Sequence, residues 1–490
     1  MEATGMEIEK MGLNKGKKVA AANGQSVLRA LGIVGYDAIE SVIIASLATE
    51  APLLLIGPHG TTKSLLLNWL AEALSLEHRH YNASQVNFDD LVGFPLPNAA
   101  RTGLEYLRTK GAIWGAQSVF IDEISRTRLD MQNRLFPIIH EKAIQGIPLP
   151  DLLFRWAAMN PPHSEEDEAN DDGNGWTYAG SEPLDVALAD RFPFVVQLPS
   201  FDRFSDADKM AVIRGEPAKE KPGAGDMLRR QIQATKLANA EILKSSSPQI
   251  GSFVHALLPL LEKIKRPVSP RRARMIHDNV AAVIAAEQVA GRVDIGAAAF
   301  LALANSLPCP AHGLKIDQAE LLAVHRQAWK LAEIPPSDPR RLVFAESDPV
   351  KRVALGLQLS IPDLDLSTLV MDAVATLEPV ERICLSANLW PVVSTTRNLT
   401  ATAFETLAAD WQAIEDQSER RHSVSSGSKR HRQWQTLADW ISDRRKKTLR
   451  DRVFVGSALV LFDREIDFAP KNLEKAFKQF AELFPWQEEA

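Results

Sequence analysis

The feature that most constrains this chain is an apolar run that leads into a loop with glycine and lysine, PLLLIGPHGTTKS, which begins at Pro52. The segment nearly matches the phosphate-binding pattern G-x-x-x-x-G-K-[ST], but Thr62 stands where the second glycine is usual. The pattern predicts a buried strand over 52–56 and an amphipathic helix over 64–73, which is the context that such a loop requires. For this motif alone, a plain strand–turn–helix with a surface lysine remains the alternative.

In such a loop, backbone N–H groups surround phosphate oxygens, and the following helix N-terminus adds positive potential. Lys63 would neutralise the β and γ phosphates, and Ser64 would offer its hydroxyl to Mg²⁺. The predicted nucleotide-binding residues of the loop are Gly57, Pro58, His59, Gly60, Thr61, Thr62, Lys63, Ser64 and Leu65. We expect Thr62 to adopt a backbone conformation that suits a β-branched residue, so that Thr62→Gly keeps or raises nucleotide affinity.

A second motif, SVFIDEISR at 118–126, ends an apolar strand in an acidic pair. Unpaired buried charge is costly, so the pair needs a partner, and Mg²⁺ is a suitable one. Asp122 would hold the metal through water, and Glu123 would orient and polarise an attacking water. Because the motif follows the loop by about 60 residues, a chance match of both is much less expected than a chance match of either.

Three later positions could complete such a site. Asn160 ends the strand in FRWAAMNPP and could touch the γ phosphate, although asparagine before proline also forms ordinary turns. Arg191, in LDVALADRFPFVV, could reach the γ phosphate of a neighbouring subunit or simply pair with Asp190. The segment SPRRARM, which opens a helix at Ser269, could reach the nucleotide or form a solvated basic first turn.

The hydrophobic pattern divides the chain into a mobile tail (1–24), an α/β domain (25–200), a small helical domain (201–311) and a mostly helical extension (312–490). Short apolar runs that alternate with helical patterns predict a parallel sheet covered by helices. Composition is that of a folded protein, with 45% hydrophobic and 24% charged residues. The net charge of -6 does not favour a nucleic-acid binder. No apolar run approaches the length of a membrane span, and the two cysteines form no zinc pattern and fit a reducing cytoplasm.

With these motifs in this order, the chain resembles AAA+ ATPases of the MoxR type, in the dynein-related branch that includes RavA and CbbQ. The resemblance covers about residues 26–311 and includes ASQVNFDDLVGFP at 83–95, which is similar to the segment before the family's second-helix insertion. It implies an AAA+ P-loop NTPase sheet with helices on both faces and a helical lid. The residue at the position of Thr62 is small, alanine, in the RavA branch.

The resemblance also implies roles for individual residues. These are Walker A for Lys63 and Ser64, Walker B for Asp122 and Glu123, sensor 1 for Asn160, the arginine finger for Arg191 and sensor 2 for Arg271, with Arg272 as an alternative and Arg126 as a possible interface residue. The connection between sensor 1 and the arginine finger is longer than usual. It carries acidic residues at 165–168 and 171–172, which predict a solvated loop or an acidic flap facing a partner or the ring pore.

The resemblance implies a homo-oligomeric ring, with the hexamer as the expected form, that uses ATP and Mg²⁺ to remodel partner proteins, with a separate von Willebrand A domain protein as adaptor. One alternative is a nucleic-acid motor subunit similar to McrB, suggested by a basic cluster at 420–452 with interleaved Trp434 and Trp440. That cluster could equally be the solvated face of a helical docking domain. A second alternative is a switch that binds nucleotide without hydrolysing it, against which Glu123 and Arg191 argue.

Overall fold

The computed structural model describes residues 26–100, 102–162, 181–214, 222–335, 337–419, 429–442 and 448–485. The chain divides into two compact units, Met1–Asp317 and Gln318–Ala490. The predicted tail (1–24), the acidic segment (165–172) and part of the basic cluster (420–421 and 444–447) lie outside the described residues. The predicted boundary between 311 and 312 lies close to the division between the units, and the boundary between 200 and 201 stays a prediction.

The first unit is built on a five-stranded sheet in the order β2-β5-β8-β1-β9, in which all paired strands are parallel. Two short antiparallel hairpins, β3–β4 and β6–β7, accompany it. The strands are β1 (Leu53–Ile56), β2 (His78–Asn82), β3 (Phe94–Pro97), β4 (Leu104–Leu107), β5 (Ser118–Asp122), β6 (Ala143–Ile144), β7 (Ile147–Pro148), β8 (Phe154–Met159) and β9 (Phe194–Gln197). The predicted parallel sheet is therefore confirmed.

Helices precede, separate and follow these strands. In the described part of the first unit they are α1 (Val27–Ala30), α2 (Glu40–Ala48), α3 (Lys63–Ala73), α4 (Phe88–Val92), α5 (Leu129–Glu141), α6 (Val186–Ala189), α7 (Asp206–Ile213), α8 (Ala224–Ser245), α9 (Ser247–Lys263), α10 (Pro270–Val289) and α11 (Ile295–Ala304). Short 3₁₀ turns lie at Asp37–Ile39, Ile124–Arg126, Phe201–Arg203 and Cys309–His312. Helices α8 and α10 pack against each other and against α2.

Both faces of the sheet are buried, which explains why β1 is apolar throughout and why β8 is buried along its whole length, Arg155 included. On one face, Leu54 and Ile121 belong to a core that also contains Leu135 and Ile138 of α5. Successive strand residues point to opposite faces, so Leu55 faces the other side, where α3 packs against β5 and β8. Helices thus cover both faces of the sheet, as the sequence predicts.

The register of the parallel strands brings their carboxyl ends to one edge. Ile56 at the end of β1 pairs with Met159 at the end of β8, and Asn82 at the end of β2 pairs with Asp122 at the end of β5. The polar residues that follow these strands therefore meet at the same edge. This is the usual place for ligands in open α/β sheets.

The second unit is helical in all of its described regular structure. Its helices are α12 (Gln318–Glu333), α13 (Arg341–Ala345), α14 (Pro349–Gln358), α15 (Asp363–Thr376), α16 (Pro379–Val393), α17 (Ala401–Glu419), α18 (Lys429–Ser442), α19 (Leu449–Asp463) and α20 (Pro470–Leu483). They enclose a core of their own, so the predicted mostly helical C-terminal extension is confirmed.

The two tryptophans of the basic cluster pack against this core. The ring centroid of Trp434 lies 5.3 Å from that of Phe462, and that of Trp440 lies 5.1 Å from that of Phe454. Their faces are thus engaged within the unit rather than offered to bases. The idea that these aromatic residues grip nucleic acid is not supported by their packing.

Candidate nucleotide-binding site

The loop after β1 depends on a backbone hydrogen bond to β8 and on two glycines. The N–H of Gly57 donates to the carbonyl oxygen of Met159 at 3.2 Å, which ties the loop to the end of β8. A side chain on Gly57 would meet the hydroxyl of Thr61 at 2.9 Å and Leu198 at 3.1 Å. Gly60 has a positive φ of +77°, which glycine adopts at no steric cost. The loop therefore needs glycine at these two positions.

Thr62, the departure from the usual pattern, has φ 56° and ψ 20° and immediately precedes α3. This is the left-handed region, which is costly for a β-branched side chain. The expectation that Thr62 adopts an ordinary conformation was therefore wrong. Its hydroxyl lies 3.1 Å from the hydroxyl of the buried Tyr36, which also donates to the carbonyl oxygen of Thr61.

Lys63 begins α3, and its ammonium turns back over the loop. It donates to the carbonyl oxygens of Gly57 at 2.7 Å and Pro58 at 2.9 Å, and to Oδ1 of Asn160 at 3.0 Å. Burial lowers the pKa of Lys63, and the charges of Asp122 and Glu123 partly offset this. A positive group is thus fixed beside the loop.

Asp122 ends β5 and accepts three hydrogen bonds. The hydroxyl of Ser64 donates to Oδ2 at 2.6 Å, His80 Nε2 lies 3.3 Å from the same oxygen, and the N–H of Glu123 donates to Oδ1 at 2.9 Å. Burial alone raises the pKa of Asp122, but these hydrogen bonds outweigh it and lower the pKa overall. A hydroxyl and an ionised carboxylate side by side are oxygen donors of the kind that Mg²⁺ takes, so the residues present fit this ion.

Glu123 directly follows the strand and also has a left-handed backbone, with φ 54°. Its carboxylate lies 3.7 Å from the guanidinium of Arg126, at partly exposed positions. Such a pair contributes little stability, so the carboxylate can exchange this partner for another at small cost. Arg126 therefore contacts Glu123 within its own chain; its predicted place at a subunit interface stays a prediction.

Asn160 directly follows β8 and is 4% exposed. Its Oδ1 accepts from Lys63, and its Nδ2 lies 3.3 Å from His59 Nε2. The loop, the acidic pair and this asparagine enclose one open cavity of about 250 Å³. Its lining residues are His59, Gly60, Thr61, Thr62, Lys63, Ser64, Leu65, Asp122, Glu123, Met159 and Asn160. The structure thus brings together the residues predicted from three separate motifs.

Arg191 is not among the residues that line this cavity. It precedes β9, whose first residue, Phe194, pairs with Leu53 at the amino end of β1. The cavity follows the carboxyl end of that strand, which is about 10 Å further along. Arg191 donates to the carbonyl oxygen of Ala187 at 2.6 Å, and its guanidinium carbon lies 4.3 Å from the ring centroid of Phe136.

The two candidates for sensor 2 have different environments at this same amino edge. Arg271 is 43% exposed and lies 3.7 Å from Asp190. Arg272 is 1% exposed and lies 3.2 Å from the same carboxylate. It also donates to the carbonyl oxygens of Phe192 at 2.8 Å and Ser306 at 2.9 Å. The guanidinium of Arg272 is thus occupied by internal partners, and neither arginine is among the residues that line the cavity.

Sequence reasoning missed the polar residues that support the acidic motif from the side. His80 contacts Asp122, and Asn68 lies between His80 and His78. The available signal was the alternation of His78 and His80 in a short strand, since such residues share a face.

A glycine-rich loop before a helix, an acidic pair and a strand-end asparagine, all at the carboxyl edge of a parallel sheet, define the site of a P-loop nucleotide-binding domain. Residues 52–153 match the model of the AAA domain of the dynein-related subfamily. The first unit therefore contains an AAA+ domain.

Two further comparisons are more distant. A stretch of 193 residues is 28% identical to "Structural protein ORF618" of Acidianus two-tailed virus, and it covers 36% of this chain and 28% of that protein. The chain thus spans less than a third of that relative. A crystal structure of a "putative ATPase" from Cytophaga hutchinsonii matches with 19% identity and a TM-score of 0.39, over 62% of this chain and 89% of that one. A likeness of this degree implies no shared function.

Among the helices of the described residues, none combines the length and the apolar character needed to cross a bilayer.

Proposed function

We propose that this chain binds ATP with Mg²⁺ and hydrolyses it to ADP and phosphate. The observation that carries the proposal is the single cavity around which Lys63, Ser64, Asp122, Glu123 and Asn160 meet. These are a cation for phosphate, two oxygen donors for a metal, a carboxylate and an amide. Their chemistry fits phosphoryl transfer to water, in which positioning and electrostatic stabilisation do most of the work.

Each residue has a distinct part in the proposed reaction. The loop N–H groups and Lys63 bind and neutralise the β and γ phosphates. Ser64 and Asp122 would hold Mg²⁺, which would supply further positive charge to the phosphate oxygens. Glu123 orients the attacking water and accepts its proton. Asn160, which follows β8, contacts the γ phosphate.

We propose further that subunits assemble into a homo-oligomeric ring, with the hexamer of MoxR-type proteins as the expected form. The placement of Arg191 and Arg271 at the opposite edge of the sheet from the cavity supports this. Neither reaches the cavity of its own chain, so a neighbouring subunit is the natural place for both to act. Arg191 would then stabilise the charge that develops during transfer. With its internal contacts, Arg272 is the weaker candidate for sensor 2.

The work that hydrolysis drives would be the remodelling, activation or maturation of partner proteins in the cytoplasm. A separate von Willebrand A domain protein would serve as adaptor, and the helical unit Gln318–Ala490 would be a docking region. This part of the proposal rests on the resemblance to MoxR-type proteins. Only basic residues still support the McrB-like alternative, because Trp434 and Trp440 pack against the core of the helical unit.

The test is ATP turnover by the full chain, measured as phosphate release with and without Mg²⁺. Glu123→Gln should retain nucleotide binding and lose turnover by about 10²-fold or more. Lys63→Ala should lose nucleotide binding itself. Glu72→Gln, an exposed glutamate on α3, is the matched control and should leave both unchanged. Full turnover by Glu123→Gln would contradict hydrolysis at this site.

A further inference from the structure

A row of polar side chains runs beside the acidic motif, on the face of the sheet that α3 covers. His78 of β2 pairs with Ser118 of β5, and Asn82 pairs with Asp122. Alternate residues of a strand share a face, so His78 and His80 point to the same side as Ser118 and Asp122. The sequence thus places two imidazoles beside a hydroxyl and a carboxylate.

Helix α3 completes the row from above. Ser64 and Asn68 are four residues apart and therefore lie on one face of the helix. Ser64 reaches Asp122, and Asn68 lies one turn further along, opposite the two histidines. The helix that begins at the phosphate-binding loop is thus connected to β2 by side chains.

The contacts form a continuous chain. The hydroxyl of Ser118 lies 2.8 Å from His78 Nδ1, and His78 Nε2 lies 3.0 Å from Asn68 Oδ1. Asn68 Nδ2 lies 3.4 Å from His80 Nδ1, and His80 Nε2 lies 3.3 Å from Asp122 Oδ2. Every ring nitrogen of both histidines therefore has a partner in the row.

The chemistry of Asn68 sets the direction of these bonds. Its Nδ2 can only donate, so His80 Nδ1 accepts and the ring proton lies on Nε2, facing Asp122. Its Oδ1 can only accept, so His78 carries its proton on Nε2 and accepts from Ser118 at Nδ1. Burial lowers the pKa of His78 to about 4, so this ring is neutral near pH 7, as the pattern requires.

The ring of His80 is also held from the side. Its centroid lies 4.4 Å from that of Phe120, with 30° between the planes. The ring therefore has little freedom to turn its Nε2–H away from Asp122.

We infer that His80 is a positioning residue for the metal-binding carboxylate, and that Asn68 sets the tautomer of His80 that does so. The inference rests on the proposed Mg²⁺–nucleotide site. Glu123 N holds one oxygen of Asp122, and Ser64 and His80 hold the other. Ser64 is itself proposed to bind the metal. His80 has no such task, so its role is to hold Oδ2 of Asp122 in position. Outer-sphere partners of this kind typically change metal affinity by 10–100-fold.

The experiment measures equilibrium binding of a fluorescent adenosine triphosphate to the full chain during a titration with Mg²⁺. His80→Phe keeps a ring against Phe120 but removes the donor, and it should raise the half-saturating Mg²⁺ concentration about tenfold. His80→Gln restores an N–H donor and should recover most of the wild-type dependence. Asn68→Leu should shift the titration in the same direction as His80→Phe, by a smaller factor. Nucleotide binding in EDTA should be unchanged in all three.

The control is His255→Gln, which changes an exposed histidine of α9 in the same unit. Circular dichroism of each variant checks that it is folded. If His80→Phe leaves the Mg²⁺ titration within about twofold of wild type, or weakens binding equally with and without Mg²⁺, the positioning role is refuted while the nucleotide site stands. If the wild type shows no Mg²⁺-dependent nucleotide binding, the proposed function fails and this role with it.

Discussion

The two edges of the same parallel sheet carry charged side chains in opposite arrangements. At the carboxyl edge, Lys63 and Asp122 line an open cavity. Lys63 donates to a carbonyl oxygen of the loop, and Asp122 accepts from Ser64. At the amino edge, Arg272 is 1% exposed and bound by Asp190 and by backbone carbonyls. The difference teaches that a charged residue of a sequence motif can bind a ligand only where its charged group lines a cavity, and not where protein groups already surround it.

The largest effect on ATP turnover should be seen with substitutions at the two edges, tested singly and then as mixed subunits. Arg191→Ala should lower turnover by about 10³-fold, the range of an arginine that stabilises the transferred phosphoryl group, and Lys63→Ala should abolish it. When the two variants are mixed and allowed to exchange subunits, activity should return in part. A mixed interface joins an intact loop to an intact Arg191 when the Arg191→Ala subunit supplies the loop and the Lys63→Ala subunit supplies the arginine; the reverse order combines both defects. Phosphate release before and after mixing measures this.

The control for mixing is the double variant Lys63→Ala/Arg191→Ala combined with Lys63→Ala, which contains no intact loop and should stay inactive. Absence of recovery in rings that demonstrably exchange subunits would show that the two edges do not serve one shared site.

The adjacent pair at the amino edge should separate stability from activity. Arg272→Met leaves Asp190 and several carbonyl oxygens without their buried donor, and it should lower the free energy of unfolding by about 3 kcal/mol. Arg271→Met changes an exposed side chain and should cost less than about 0.5 kcal/mol, while lowering turnover of the assembled protein. Urea unfolding and phosphate release check the two effects. Equal destabilisation by both variants would remove the distinction between them.

Sequence reasoning predicted the carboxyl edge well because parallel strand ends must meet there. Each motif could be assigned to the end of a strand. The parallel register then places Ser64, Asp122 and Asn160 at the same edge of the sheet. It could not find Asn68 or His80, because their meeting depends on which face of α3 turns to β2. It also could not separate Arg271 from Arg272, because adjacent positions on a helix differ by a rotation that only packing decides.

Backbone conformation was equally hidden from the sequence. A threonine before the lysine gives no sign of a left-handed φ, and the ordinary conformation expected for Thr62 was wrong. The aromatic residues of the basic cluster misled for a related reason. Their spacing suits stacking on bases, but Trp434 and Trp440 turn to the core of the helical unit.

The smallest effect on stability and nucleotide binding should come from Thr62, which stands where the phosphate-binding pattern usually has glycine. Its φ of 56° costs a β-branched residue roughly 1–2 kcal/mol, which glycine does not pay. Glycine loses the contact with Tyr36 and adds about 0.4–1 kcal/mol of unfolded-state entropy. The strain relieved and the interactions lost nearly cancel, so Thr62→Gly should bind nucleotide at least as tightly as wild type with little change in the free energy of unfolding.

Thr62→Ala also loses the hydroxyl but keeps the backbone strain, so it should unfold more easily than Thr62→Gly by about 1 kcal/mol. Urea unfolding and nucleotide titration of both variants measure this. An alanine variant as stable as the glycine variant would mean that residue 62 leaves the left-handed region in solution.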